Sequence, residues 1–429
     1  MEGGSQNLMA SLSQAASSAA HSNSCVTVSE CDCCIVGGGP AGAVLALLLA
    51  RRGIRVTLLE MHHDFDREFR GDTVHPSTME IFDQIGLAER ILPLGHGKVV
   101  SPNIQVADGA FAPVDLRRLK TKFPFILMVP QNKLLDFLVI EAGRYPNFQL
   151  RMGANVTELV AESGIIRGVR YQSEDGRHEV RALLTVGADG RFSRVRNLAG
   201  FVPTKTAPPM DVLWFKLPHL SEDSVSSGGA FGGIGKGHMF IGLERGDYWQ
   251  CGYVILKGTF QEVRAEGIEG LRAHITEIMP QLAGHVQALT DFRQLTLLSV
   301  ESSRCTEWCR PGLLLIGDAA HVMSPIGGVG INYAIQDAVV AANLLTKPLL
   351  SGHVTLDELQ KVQRKREWPV RVIQSFQAQV QNNIVAMALQ STEMISIPWY
   401  FRTFFRIPWL RDLPARLVAF GPVRVRLEN

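Results

Sequence analysis

Cys33-Cys34-Ile35-Val36-Gly37-Gly38-Gly39-Pro40-Ala41-Gly42-Ala43-Val44-Leu45-Ala46-Leu47-Leu48-Leu49-Ala50-Arg51-Arg52-Gly53 decides the fold of this chain. Asp32–Val36 reads as a short buried strand, Pro40–Arg52 as a helix ended by Gly53, and Arg55–Glu60 as a second strand. Strand, glycine turn, helix and strand in this order form a βαβ unit, whose successive strands run parallel. In Gly37-x-Gly39-x-x-Gly42 each glycine has a task. Gly37 permits the tight turn, Gly39 lets a pyrophosphate approach the backbone, and Gly42 lets helix and strand pack closely. Pro40 and Ala41 open the helix, whose first N–H groups point at the anion. Glu60 ends the second strand, where a carboxylate accepts hydrogen bonds from a ribose hydroxyl. An acid at that place favours FAD or NAD over NADP.

Outward from this unit, Thr78–Leu87 and Lys133–Tyr145 have helical apolar spacing. Asn155–Ala161, Ile165–Tyr171 and Glu179–Val186 read as strands, with a hairpin turn at 173–176. A glycine-rich β stretch runs from Asp211 to Gly258. Asp291–Val300 begins a return to the first pattern, which closes with the strand Leu313–Ile316 and a helix from Gly330. Leu356–Phe376 is charged and helical.

With 429 residues there is room for two or three domains, at about 150 residues each. Hydrophobic residues at 46% and charged residues at 20% exclude a disordered or fibrous chain. A net charge of +2 leaves no global footprint for nucleic acid. Seven cysteines, four of them within Cys25–Cys34, are no secreted disulfide framework, so a reducing cytoplasm is the expected compartment. Two uncharged segments, Cys33–Ala50 and Val372–Thr392, are poor membrane spans: glycines and Pro40 break the first, and Gln and Asn interrupt the second. Residues 1–29, rich in Ser and Ala, read as a disordered tail with no signal or transit character.

Two further motifs make the chain recognisable. Val186-Gly187-Ala188-Asp189-Gly190-Arg191-Phe192-Ser193-Arg194-Val195-Arg196 resembles the Asp-Gly motif of single-component flavoprotein aromatic hydroxylases. Gly317-Asp318-Ala319-Ala320-His321, followed by Ser324-Pro325-x-Gly327-Gly328-x-Gly330-Ile331-Asn332, resembles their Gly-Asp motif. With the glycine turn, these are three motifs in family order over roughly residues 30–350. The chain is therefore similar to the class A flavin monooxygenases, the para-hydroxybenzoate hydroxylase-like family.

The resemblance implies an α/β fold: a Rossmann-like FAD-binding domain from residues 30–110, 130–205 and 291–345, a mainly β substrate domain from 111–129 and 206–290, and a C-terminal helical region at 346–429. It implies FAD contacts at Gly37, Gly39, Pro40, Ala41, Gly42, Glu60, Val156, Asp189, Gly190, Gly317, Asp318, Pro325, Gly327, Gly328, Gly330, Ile331 and Asn332. Asp318 follows an apolar strand, where its carboxylate meets the ribityl hydroxyls; Gly327–Gly330 bring backbone N–H groups to the flavin ring at a helix start. Arg70 and Gln131 match positions beside the FAD phosphates, and Arg pairs with phosphate bidentately. Asp72, His75 and Pro325 are the candidates for direct chemistry beside the flavin or substrate.

The implied activity is monooxygenation: NAD(P)H reduces FAD, dioxygen adds, and a flavin hydroperoxide hydroxylates an aromatic or polycyclic small molecule. Flavin halogenases and prenyl reductases share the FAD motifs, though Trp214-Phe215-Lys216-Leu217-Pro218 does not match the halogenase Trp-x-Trp-x-Ile-Pro signature. A non-catalytic flavin-binding protein at a membrane surface is the remaining alternative. Trp214, Phe240, Trp249 and Tyr253 either wall a substrate pocket or serve as plain core. Cys305-x-x-x-Cys309 has no second pair, and no metal site is expected. From Met394 to Asn429 six Arg stand against two acidic residues, interleaved with aromatics. Residues 395–421 accordingly read either as a cap docked on the protein or as a peripheral membrane contact.

Overall fold

The computed structural model describes residues 26–66, 72–112, 114–206, 208–220, 229–393, 396 and 408–428. Its first sheet is parallel at its centre. The opening strand Thr27–Val36 lies between Val56–Leu59 and Gly176–Gly187, and these are flanked in turn by Phe148–Arg151 and Leu313–Leu315. Ile165–Ser173 and Asn155–Glu162 extend it as antiparallel strands. The chain therefore leaves its first strand in one direction and later returns on the other side. At such a switch point the crevice outside the carboxyl ends of the strands is open for a ligand.

Apolar residues on every side of Pro40–Arg51 explain its place: Ala41 to Ala50 are all buried between the sheet and the helices Gln131–Ala142 and Gly330–Leu350. Its apolar run is thus core, and among the described residues no helix is long and apolar enough to cross a membrane. The first strand begins at Thr27, inside the stretch read as tail, because Thr27–Cys31 pair with His178–Ala182. Cys31, Cys33, Cys34, Cys251, Cys305 and Cys309 are buried free thiols, and burial raises the pKa of each.

A second, middle sheet runs in the order Thr296–Ser299, Met210–Pro218, Tyr248–Leu256, His238–Glu244, Ala230–Gly235, Asn103–Val106 and Gly109–Phe111. Two of these strands come from segments grouped in the sequence with the FAD-binding domain. Asn103–Val106, within 30–110, pairs with Phe231–Gly233, and Thr296–Ser299, within 291–345, pairs with Asp211–Trp214. Short alternating strands carry no local sign of their partner, so contact in three dimensions decides it. The helix Gly267–Ile278 covers one face of the middle sheet through Leu271, Ile275 and Ile278.

The helix Leu356–Val380 starts at a capping box between Thr355 and Glu358 and continues, through a π-turn at Gln381–Val385, into Ala386–Gln390. The helix Pro408–Phe420 and the segment after it fold back onto the protein. Ala415 and Ala419 pack on Leu116 and Leu119, Arg424 pairs with Glu80, and Leu427 N–H donates to Gln84 at 2.9 Å. From residue 412 onward the segment is therefore a docked cap; the aromatic stretch 397–407 lies outside the described residues.

Candidate functional site

Four parallel strands end side by side, and four of the motifs stand on those ends: Gly37 after Val36, Glu60 after Leu59, Asp189 after Gly187, and Gly317-Asp318 after Leu313–Leu315. At the turn, Gly37 has φ +104°, and a Cβ there would lie 2.5 Å from the Ala188 carbonyl oxygen. A Cβ on Gly42 would lie 1.9 Å from the Gly37 carbonyl oxygen. Both glycines are thus required by packing. Gly39 differs, because a Cβ there would meet nothing within 4 Å. No side chain caps the helix at Gly39, so the first N–H groups, at Ala41 and Gly42 behind Pro40, have no intrahelical partner. An open turn under an uncapped helix N-terminus fits a pyrophosphate. Glu60, 3% exposed, accepts from Gly38 N–H at 2.8 Å and His62 N–H at 3.1 Å, which fixes its carboxylate at the strand end.

Asp189 behaves otherwise. Its carboxylate accepts from the Ser193 hydroxyl at 2.5 Å, Arg194 N–H at 2.6 Å and Val195 N–H at 3.0 Å, so it caps the short helix Arg194–Leu198. Burial raises its pKa against those bonds. Gly190 beside it turns at φ +82°. The Val156 side chain is 4% exposed, in the core behind the sheet. Arg70 lies outside the described residues.

Asp318 is half-buried at the strand end, one residue after Gly317, whose φ is +60°. The Gly317 N–H donates to Asp337 at 2.9 Å. Sequence reasoning missed Asp337. It is 0% exposed and also receives His321 Nε2 at 2.6 Å and Arg366 Nε at 2.7 Å. Burial pushes its carboxyl up, but the neighbouring His321 and Arg366 outweigh this and hold it below the usual range. An acid amid the apolar residues of Gly330–Leu350 was the available signal.

The loop Pro325–Gly330 lies at the mouth of the crevice, with Gly327 exposed and Pro325, Gly328 and Gly330 half-buried. Gly327 and Gly328 have φ +77° and +62°. A Cβ on Gly328 would lie 2.6 Å from the Thr73 hydroxyl, which donates to the Gly328 carbonyl at 2.8 Å. These bare backbone units at the crevice fit an isoalloxazine ring. Asn332, 2% exposed, is a staple: its Nδ2 donates to Thr73 O and Gly328 O, and its Oδ1 accepts from His75 N–H and the Thr78 hydroxyl. Its side chain is thereby spent within the protein, and Ile331 packs against the core.

The same region holds His75. The ring is 0% exposed, its Nδ1 lies 2.7 Å from the Val418 carbonyl, and burial lowers its pKa to about 4. The ring thus ties the loop to the cap through Nδ1, while its Nε2 is buried with no hydrogen-bond partner among the described residues. Asp72 is different. Its carboxylate meets Arg245 at 2.8 Å and accepts the Gln131 N–H at the start of Gln131–Ala142. Burial raises its pKa to about 6 despite the guanidinium. Arg245, 4% exposed, went unnoticed in the sequence because it sits in a plain hairpin. His96 Nε2 lies 3.4 Å from it, and burial with that charge lowers the His96 pKa to about 4.

Strand alternation divides the four aromatics singled out in the sequence. Phe240, Trp249 and Tyr253 face the helix Gly267–Ile278 as core. Trp214 faces the other way and covers Gly252, whose added Cβ would lie 3.2 Å from the indole. On that face Val212, Val254, Met239 and Leu298 join Val385, Leu389 and the loop residue Ile326 in one apolar cluster. The sheet wall thus reaches the glycine loop.

A family model described as FAD binding domain matches residues 30–371. The chain belongs to the class A flavin monooxygenases. This monooxygenase is 36% identical over 400 residues to the 6-methylpretetramide 4-monooxygenase of Streptomyces rimosus, across 93% of this chain and 94% of that protein. It is 30% identical to the rifampicin monooxygenase of Streptomyces venezuelae, over 72% of this chain but 62% of that longer protein. A solved flavin-dependent brominase superposes with a TM-score of 0.75 at 17% identity, over 91% of this chain and 94% of its own, a likeness of fold alone. The chain is an FAD-dependent, NAD(P)H-using enzyme that inserts oxygen into aromatic or polycyclic small molecules.

Proposed function

We propose that this flavin monooxygenase hydroxylates a fused-ring phenol, lying between the Trp214 face of the middle sheet and the Pro325–Gly328 loop. FAD bound here and reduced by NAD(P)H would activate dioxygen, one atom of which enters the substrate while the other leaves as water. The chain's residues do the rest. Ala41 and Gly42 N–H groups hold the pyrophosphate, Glu60 the ribose, Asp318 the ribityl chain, and Gly327 and Gly328 the ring; Arg70 and Gln131 assist at the phosphates. We take the first sheet with its helices as the FAD-binding unit, the middle sheet as the substrate unit, and the C-terminal helices as a seal between them.

The observation that carries the proposal is the Asp72–Arg245 pair. Asp72 directly precedes Thr73, which is bonded to the glycine loop, and this reading puts its carboxylate within reach of the substrate phenol. With a pKa of about 6 it is ionised at neutral pH yet basic enough to accept a phenolic proton, which enriches the ring as it attacks oxygen. Arg245 stabilises the negative charge that develops. Apolar Val212, Met239 and Leu298 exclude water from the reaction. The similarity to a protein named for acting on 6-methylpretetramide supports a polycyclic substrate. A membrane contact through residues 395–421 is no part of this reading, since Ala415 and Ala419 are turned onto the protein.

The test is a panel of fused-ring and single-ring phenols with NAD(P)H and labelled dioxygen. A fused-ring phenol should stimulate NAD(P)H oxidation most and gain one labelled oxygen atom. Stimulation by single-ring phenols alone, or a halogenated product without label, would overturn the proposal.

A further inference from the structure

Three of the five glutamines that interrupt the uncharged stretch Val372–Thr392, Gln374, Gln377 and Gln381, form a row on the C-terminal helix and donate to the segment Val322–Ile326 and the strand beside it. Gln374 Nε2 donates to the Ser303 and Val322 carbonyls, each at 3.0 Å. Gln377 Nε2 donates to the Ser324 carbonyl at 2.9 Å and the Ile326 carbonyl at 2.8 Å. Gln381 Nε2 donates to the Ser324 hydroxyl at 2.6 Å. Gln377 and Gln381 are 2% and 3% exposed. Spacings of three and four residues place all three on one helix face.

Burying primary amides is unfavourable unless their bonds are made, and leucines would pack such a face without that demand. The same face does become apolar after the π-turn Gln381–Val385, where Val385 and Leu389 join Trp214 and Met239 in the wall of the middle sheet. One helix thus holds the loop before Gly327 with its first half and the substrate wall with its second. The Gln377 Oε1 is buried without a partner, so the amide is held there for its donors. In a trans peptide the carbonyl and the following N–H point in opposite directions. Drawing the Ile326 carbonyl toward the helix therefore turns the Gly327 N–H away from it, toward the open crevice.

We propose that Gln377 and Gln381 are positioning residues for the monooxygenase reaction, fixing the loop so that the Gly327 N–H faces the flavin ring while the same helix lines the substrate wall. The proposal rests on the reading above that FAD binds at this loop. An N–H so aimed stabilises negative charge on the reduced ring. Methionine matches glutamine in length and lacks the donors.

The test compares Gln377→Met, Gln381→Met and the control Gln379→Met, on an exposed position of the same helix whose amide meets only Asn383. In the full-length holoenzyme, Gln377→Met and Gln381→Met should shift the flavin absorption bands and move the reduction potential to more negative values. Product formed per NAD(P)H consumed should fall about tenfold, as peroxide, for the loss of buried hydrogen bonds. The control should change none of these. Unaltered spectrum, potential and coupling in the two test variants, or equal changes in the control, would overturn the proposal. Hydrogen exchange on the wild-type apoprotein gives an answer even where a variant fails to fold. Amides of 322–328 should be protected to the same degree as those of 374–381, and free exchange of the loop beside a protected helix would refute the clamp.

Discussion

Asp72 and Arg245 meet at 2.8 Å, joining the segment that leads into Thr73 to a hairpin of the middle sheet. The pair ties a small three-stranded sheet, in which Thr73–Val74 pairs with Leu127–Met128, to the middle sheet, and its carboxyl is raised to about 6 from an ordinary 3.8, by burial first and against the pull of Arg245.

The first prediction concerns pH. Hydroxylation should rise through about pH 6 as Asp72 ionises, and Asp72→Asn should lose that limb with turnover down about a hundredfold. For stability the sign runs the other way. A folded-state pKa above the unfolded one means that this group's contribution is complete below about pH 3.8 and is lost as pH rises through about 6. Thermal unfolding of Asp72→Asn should therefore move above that of the wild type as pH rises from 4 to 7. A difference that instead widens against the variant would show that the Arg245 pairing outweighs burial.

Gly39 and Gly42 should separate ligand binding from packing. Gly39→Val adds its side chain to open space, so the melting temperature of the apoprotein should hold while FAD retention is lost. Gly42→Val drives a side chain into the Gly37 carbonyl and should destabilise the apoprotein itself. Calorimetry of the two apoproteins, with flavin fluorescence for binding, distinguishes them; similar melting losses in both would contradict the open turn.

Asp337→Ala leaves the fully buried Arg366 without its counter-ion and frees the Gly317 N–H. Breaking such a pair destabilises by about 3–5 kcal/mol, which urea unfolding of the apoprotein should register, together with weaker FAD retention. An Asp337→Ala variant as stable as the wild type would remove this node from the account of the strand end.

Gly252→Val pushes a side chain against Trp214 on the face proposed for substrate. The bound flavin spectrum should stay the same while KM for a fused-ring substrate rises about tenfold, the worth of a displaced aromatic contact. Equal losses of flavin and of substrate affinity would mean that the wall and the cofactor loop cannot be separated.

The parallel α/β core was legible because its signals are local. Three glycines, a proline at the helix start and an acid at the next strand end all lie within Val36–Glu60. What stayed hidden depends on partners far along the chain. Nothing near Asn103 or Thr296 says that these strands join the middle sheet. His75 looked available for chemistry because Val418, which occupies its ring, lies 343 residues away. Trp214 and Trp249 look alike in sequence, and only strand register sends one to the wall and the other to the core. Asp337 was passed over because a fully buried acid is rare without partners, and those partners, His321 and Arg366, come from two other segments.

Apart from the pairing of Thr73–Val74 with Leu127–Met128, the segment Thr73–Thr78 is held by remote partners. Thr73 and His75 are held by Gly328 and Asn332, 255 and 257 residues later, and the His75 ring waits for Val418. Contacts this remote are slow to form, since long stretches of chain must be brought together before any of them is made. During synthesis the glycine turn can wind as soon as it emerges, while the other lip of the crevice stays unformed until the distant segments arrive. Acquisition of the yellow cofactor is thereby deferred to the last stage of folding, and a half-made chain is kept from carrying a reactive flavin open to water.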